Sequence, residues 1–188
     1  GAIDRIGVLK TNDLSDTVGI ISQDFYGLNK TFNSIIKINR DYPWTSSYKK
    51  FFKEYKNKKK IKIAFVDKDF KIFKNFDHET IKQYKKTLSK LRKTSFSISK
   101  IQLNQIFNNF HKNFYQVYHN SLYYYLKNIN SSFEGLSKNL KCIVDEGKKI
   151  SYLKKENAIK KINIAKKKFE KKFANYDFII IPTTAGAA

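Results

Sequence analysis

The chain has 188 residues, 41% of them hydrophobic and 15% aromatic, with a formal net charge of +22. This composition excludes a disordered polyelectrolyte, and the length suffices for one sizeable core. No run of 18 or more apolar residues occurs, so no transmembrane helix is predicted.

Cys142 is the single cysteine, which rules out a disulfide framework or a cysteine metal cluster within the chain and fits a reducing cytoplasm. The positive charge has a bland source. Lys, Asn, Ile, Phe and Tyr are enriched together, as AT-rich codons would produce. The lysines are spread along helix faces, while Arg5, Arg40 and Arg92 lie far apart and form no arginine-rich stripe. Solvated faces are the expectation, and nucleic acid is not the expected partner.

Residues 1–19 are rich in turn formers and read as a loop. From Ile20 the spacing predicts a helix with Phe25, Leu28, Phe32, Ile35 and Ile36 on one face and Asp24 as its N-cap. Asp41-Tyr42-Pro43-Trp44 breaks that pattern, because the residue before proline avoids helical backbone. Ile61–Val66 reads as a strand, Asp77 or Thr80 starts a helix carrying Ile81, Tyr84, Leu88 and Leu91 inward, and Phe96–Ile101 alternates as a second strand. A right-handed crossover would make those two strands parallel.

Leu103 opens the most apolar helical pattern, through Ile106, Phe107, Phe110, Phe114, Val117, Tyr118, Leu122 and Tyr125. A loop at 128–132 precedes a shorter helix or turn over Leu136–Val144, with Asp145-Glu146-Gly147 as terminator. The last long helix runs from Ser151, a candidate N-cap, to Ala174, with Leu153, Ala158, Ile159, Ile162, Ala165, Phe169 and Phe173 inward. Phe178–Ile181 is an unbroken apolar run, the pattern of a strand buried on both faces. Pro182 lacks a backbone donor and ends the ladder, and the small residues after it allow close backbone approach. Such strand ends are where open α/β sheets place ligands. The expected class is α/β, with a mixed, mostly parallel sheet and long flanking helices.

Catalytic machinery is hard to find. His111 and His119 stand eight residues apart on one helix, two turns from each other and too distant for one metal. His78 is isolated, and no HExxH, CxxC, P-loop or GxGxxG occurs. Cys142 beside Ile143 and Val144 reads as a buried structural thiol. Tyr123, Tyr124 and Tyr125 are consecutive on a helix and point apart, so they form no base-stacking platform.

Two motifs go further. Asp13-Leu14-Ser15-Asp16-Thr17-Val18-Gly19-Ile20-Ile21-Ser22, preceded by Gly7-Val8-Leu9 and followed by Asp24, resembles a segment of the amidase signature family that comes after its glycine- and serine-rich catalytic core. The order Asp13-Leu14-Ser15-Asp16 departs by a residue from the family's Ser-Leu-Asp. Tyr176-Asp177-Phe178-Ile179-Ile180-Ile181-Pro182-Thr183-Thr184, with Ala187, resembles the family's Tyr/Phe-Asp, apolar strand and Pro-Thr segment. The strand at 60–64 and Gly147–Ser151 before the long helix are similar to its layout.

The resemblance implies a hydrolase that cleaves a carboxamide C–N bond with a Ser–cis-Ser–Lys triad, needs no cofactor or metal, and takes a small-molecule amide. It implies that residues 1–188 form a single partial domain whose serine and lysine motifs lie upstream of residue 1, so that no catalytic residue falls in this chain and the chain alone is inactive. The absence of methionine gives the same expectation of a fragment. Asp16 and Thr17 would lie near the catalytic loop, and Pro182, Thr183 and Thr184 near the pocket wall. Two alternatives stay open. One is the amidase subunit of a tRNA-dependent amidotransferase, whose arginine-rich segment is missing at Asp145–Tyr152. The other is a basic, non-catalytic module that binds nucleic acid or an acidic partner.

Overall fold

The computed structural model describes residues 3, 5, 7–12, 14–36, 60–67, 71–129 and 131–186. The pattern break at Asp41–Trp44 lies outside them, as do Asp13, Arg40, Asn130 and Ala187. In chain order the elements are α1 (Phe25–Ile35), β1 (Lys62–Val66), a 3-10 helix (Lys71–Asn75), α2 (His78–Leu91), β2 (Ser97–Ile101), α3 (Phe110–Ile129), α4 (Lys138–Lys148), α5 (Tyr152–Phe173) and β3 (Phe178–Ile180). They gather into two compact units, Gly1–Lys58 with Tyr115–Lys155, and Lys59–Phe114 with Glu156–Ala188.

The second unit holds the sheet. Its strand order is β2-β1-β3, and both pairings are parallel. The strand–helix–strand unit expected between residues 61 and 101 is present, with Lys62 opposite Ser97 and Val66 opposite Ile101. α2 starts where its capping signal lies: the Asp77 carboxylate accepts the Thr80 N–H at 2.6 Å. β1 is central, and Ile63, Ala64, Phe65 and Val66 are all buried. Ala64, Val66, Ile101 and Leu103 form the core, covered by Ile81 and Tyr84 from α2, Phe169 from α5, and Ile106, Phe107, Tyr176 and Ile179. The α/β class is as the sequence implies.

Two expectations need correction in this unit and a third in the first. Among the described residues β3 is an outer strand, and Phe178 and Ile181 remain 43% and 41% exposed rather than buried on both faces. A continuous apolar run reports only that the side chains can be buried; the position in the sheet decides whether they are. The helix expected from Leu103 begins instead at Phe110. Between them the chain turns: the Ile106 and Phe107 N–H groups both donate to the Leu103 carbonyl, and Asn109 adopts φ +57°, which a continuous helix does not admit. The turns return Ile106 and Phe107 to the same core as Leu103, so apolar spacing of three and four persists without a helix. The helix expected from Ile20, which falls in the first unit, starts at Phe25, where the Asp24 carboxylate accepts the Gly27 N–H at 2.6 Å. α1 buries none of its residues; Phe25, assigned to an inward face, is 80% exposed.

The first unit is built on α3 and α4. Leu122, Leu126 and Val144 form its core, with Tyr118, Tyr123, Phe133, Leu136, Leu140 and Ile143 around them. Ser137 caps α4 by accepting the Leu140 N–H at 3.3 Å. Asp145-Glu146-Gly147 does not terminate this helix, which runs to Lys148. Gly147 serves close packing instead: a Cβ there would run into the His119 carbonyl, with the carbonyl carbon at 2.7 Å. The buried Asn120 amide donates to the Ile150 and Gly147 carbonyls at 3.0 and 3.3 Å, closing the end of α4. Cys142 is exposed, not buried, because helical geometry places it about 200° around α4 from the buried Val144. Leu153, expected inward, is 72% exposed in the first turn of α5. Ser151 stands before that turn and accepts the Lys154 N–H at 3.4 Å.

Candidate functional site

The segment after β3 forms one wall of a groove of about 510 Å³, opposite the side of α2 that carries Thr80, Gln83 and Thr87. Ile180, Ile181 and Tyr84 also line it. Pro182, Thr183 and Thr184 all line this groove. The position follows from the topology: β3 runs parallel to β1, and the chain leaves the sheet at its carboxyl edge. Two bonds hold the exit segment in place. The Asp77 N–H donates to the Ala185 carbonyl at 2.7 Å, and the Thr184 hydroxyl donates to the Gly186 carbonyl at 2.8 Å. Gly186 backs directly onto the Asp77 carboxylate, where any Cβ would collide.

Tyr84 is the polar centre of this wall. The β1–β3 pairing ends at Phe65 opposite Ile180. Just beyond, the Tyr84 hydroxyl accepts the Val66 N–H at 3.1 Å and shares its proton between the Val66 and Ile180 carbonyls, at 2.7 and 3.0 Å. Burial pushes its pKa up from 10.0 to about 12; the backbone bond to Val66 works the other way, and the Asp67 charge adds to the rise. A phenol with a raised folded-state pKa stabilises the fold fully below the unfolded value and loses that stabilisation as pH climbs through the folded one. The protein is expected to lose stability between pH 10 and about 12 more steeply than its Tyr84→Phe variant. Urea midpoints at matched pH check this, and the difference cancels the lysines, which also titrate there. Equal slopes for the two proteins would refute it.

Asp177 closes the other end of the same strand pair. Its carboxylate accepts the Lys62 N–H at 2.8 Å, and its own N–H donates to the Lys62 carbonyl at 2.8 Å. The Tyr-Asp element of the second motif thus starts β3 in register.

In the first unit, Asp16 organises the loop of the other motif. Its carboxylate accepts the Thr11 hydroxyl at 2.6 Å and the Thr11 and Asn12 N–H groups at 2.7 and 2.8 Å, with the Arg5 guanidinium at 3.6 Å. Burial works to raise its pKa but is outweighed by those hydrogen bonds and by Arg5, so the carboxyl is held below its ordinary value. Asn12 is 1% exposed; its Oδ1 accepts the Leu14 N–H at 3.1 Å, while its Nδ2 has no hydrogen-bond partner among the described residues. Thr17 is exposed and lines, with Asp16 and Arg5, a cavity of about 170 Å³. Asp16 accepts three hydrogen bonds from its own loop and faces Arg5, so its chemistry is that of a scaffold rather than of a proton donor.

None of the three histidines lines the groove or the Asp16 cavity, although His78 opens α2 between the groove-lining Asp77 and Glu79. His119 Nδ1 lies 2.9 Å from Glu146 Oε2 and joins α3 to α4. Among the described residues no three His, Cys, Asp or Glu side chains converge in a way that could hold a metal ion. No helix among them is long and apolar enough to cross a membrane. Tyr84 and Asp177 are the residues that sequence reasoning left without a role. Tyr84 read as one more apolar position of α2, although a hydroxyl on an inward stripe is itself a signal that a buried partner exists. Asp177 stood inside a quoted motif, and a charged residue directly before an apolar strand calls for a buried acceptor role.

The chain belongs to the amidase family: the model of that family, Amidase, matches residues 1–188, which include both motifs and every element between them. A search of curated proteins returns no match.

Proposed function

We propose that these residues are the portion of an amidase-signature hydrolase that follows the catalytic core, and that the complete enzyme cleaves the C–N bond of a small carboxamide. The family match over residues 1–188 carries this reading. The groove at the end of β3 supports it, since Pro182, Thr183 and Thr184 meet there at the carboxyl edge of a parallel sheet. In the proposed mechanism a lysine deprotonates a bridging serine, which takes the proton of the nucleophilic serine, and backbone N–H groups stabilise the oxyanion. The Asp16 loop would pack near that catalytic loop, and Pro182–Thr184 would form the substrate wall. No residue of this chain matches the serine or lysine motifs, so the chain by itself is proposed to be inactive. The lone thiol Cys142 and its exposure favour a reducing, cytoplasmic setting. The spread of lysines disfavours the nucleic-acid module, and the lack of an arginine-rich segment before α5 disfavours the amidotransferase subunit.

The test is direct. The coding sequence upstream of Gly1 should specify a lysine followed by a glycine- and serine-rich nucleophile motif. Replacing that serine with alanine in the full-length protein should lower amide hydrolysis by roughly 10³-fold or more. An upstream sequence without the motif, or unchanged turnover in the variant, would sink the proposal.

A further inference from the structure

We infer that Tyr84 is a positioning residue for amide binding: its hydroxyl fixes the exit of β3 and thereby sets where Pro182, Thr183 and Thr184 stand along the groove. This rests on the substrate-wall reading above and goes beyond it, because Tyr84 belongs to neither motif.

The geometry is specific. A phenol hydroxyl has one proton and two lone pairs. Here the Val66 N–H occupies one lone pair at 3.1 Å, and the proton is directed at the Val66 carbonyl at 2.7 Å with the Ile180 carbonyl at 3.0 Å. All three groups belong to the last residues of β1 and β3, at the point where the pairing ends with Phe65 opposite Ile180. Downstream of that point β3 gives way to Ile181 and Pro182, and proline offers no N–H with which to continue the ladder. The exit of β3 is therefore held to β1 through a side chain of α2. The same α2 forms the opposite wall of the groove through Thr80, Gln83 and Thr87. One hydroxyl thus connects both walls, and Tyr84 is itself among the residues that line the groove. Phenylalanine would keep the ring and its packing but leave the Val66 N–H and the Ile180 carbonyl without this partner.

A wall out of place weakens substrate and transition state alike, which appears in KM and not in kcat. The experiment uses the full-length enzyme, with Tyr84→Phe and with p-aminophenylalanine at position 84, assayed on a series of small primary amides. Tyr84→Phe is expected to raise KM roughly tenfold with kcat within about twofold of wild type. p-Aminophenylalanine, which restores a donor and an acceptor at the para position, should recover most of the lost affinity. A merely structural tie would lower the thermal midpoint without this KM change or its rescue. Should Tyr84→Phe fold poorly, the p-aminophenylalanine protein compared with wild type decides: a tenfold KM defect there overturns the inference, and near-native KM supports it. Wild-type KM and kcat in a folded Tyr84→Phe enzyme would overturn the inference while leaving the amidase reading intact. A full-length protein that hydrolyses no amide and is indifferent to loss of the upstream serine would overturn both.

Discussion

Gly147→Ala is expected to destabilise the protein by about 2 kcal/mol, measured as the loss of helical circular dichroism in urea. Two effects oppose each other. Alanine in a helix interior is worth about 1 kcal/mol relative to glycine. Against this, the new methyl group would meet the His119 carbonyl of α3, with the Tyr123 Cβ also at 3.0 Å. Overpacking costs about 1–3 kcal/mol when side chains can adjust, and more where the obstacle is backbone, which has no rotamer to escape into. α4 cannot simply back away, because Asn120 ties its end through the Gly147 and Ile150 carbonyls. The clash therefore wins. A variant as stable as wild type or more so would show that the two helices do not approach this closely.

Asp177→Ala should cost about 1–2 kcal/mol through a different route. The side chain is buried and accepts the Lys62 N–H at 2.8 Å, so its removal leaves a backbone donor without that partner at the start of the β1–β3 pair. Lys62 is itself exposed and the bond only part-buried, so the loss falls in the lower half of the roughly 1–3 kcal/mol that an abandoned buried donor costs. Asp177→Asn keeps an oxygen acceptor and is expected to lose less than half as much. Denaturation midpoints of the two variants separate hydrogen bonding from packing. Equal losses would mean that the bond to Lys62 contributes little.

Much of the local structure was legible because its causes are local. Asp24, Asp77, Ser137 and Ser151 each accept an N–H in the first turn of a helix. Of these, Asp24, Asp77 and Ser151 could be picked from the sequence alone as short acceptors ahead of apolar periodicity. The three strands were equally visible, as runs or alternations of β-branched and aromatic residues. What could not be read depends on where elements end up. Apolar spacing continued across Leu103–Phe110 although the backbone turns there, since period alone does not separate a helix from turns that revisit one core. Cys142 and Leu153 had apolar neighbours in sequence and solvent in space. Gly147 looked like a stop signal because glycine serves both helix ends and close helix contacts, and only the second helix shows which applies.

For the candidate site the division is the same. The groove-lining Pro182, Thr183 and Thr184 were found from a strand pattern and a family resemblance. The hydroxyl that ties their strand to β1 comes from a helix 96 residues away in sequence; its place on an inward stripe signals a buried partner but not which one.

The bonds around Asp16 have a wider meaning for the motif that contains it. Every hydrogen bond that its carboxylate accepts comes from Thr11 or Asn12, at most five residues away. A loop closed on itself in this way meets a neighbouring surface already in shape. Little conformational freedom at Thr11, Asn12 and Asp16 then remains to be lost on contact, so the ordering cost falls on the folding of the loop. The motif behaves as a prefabricated part.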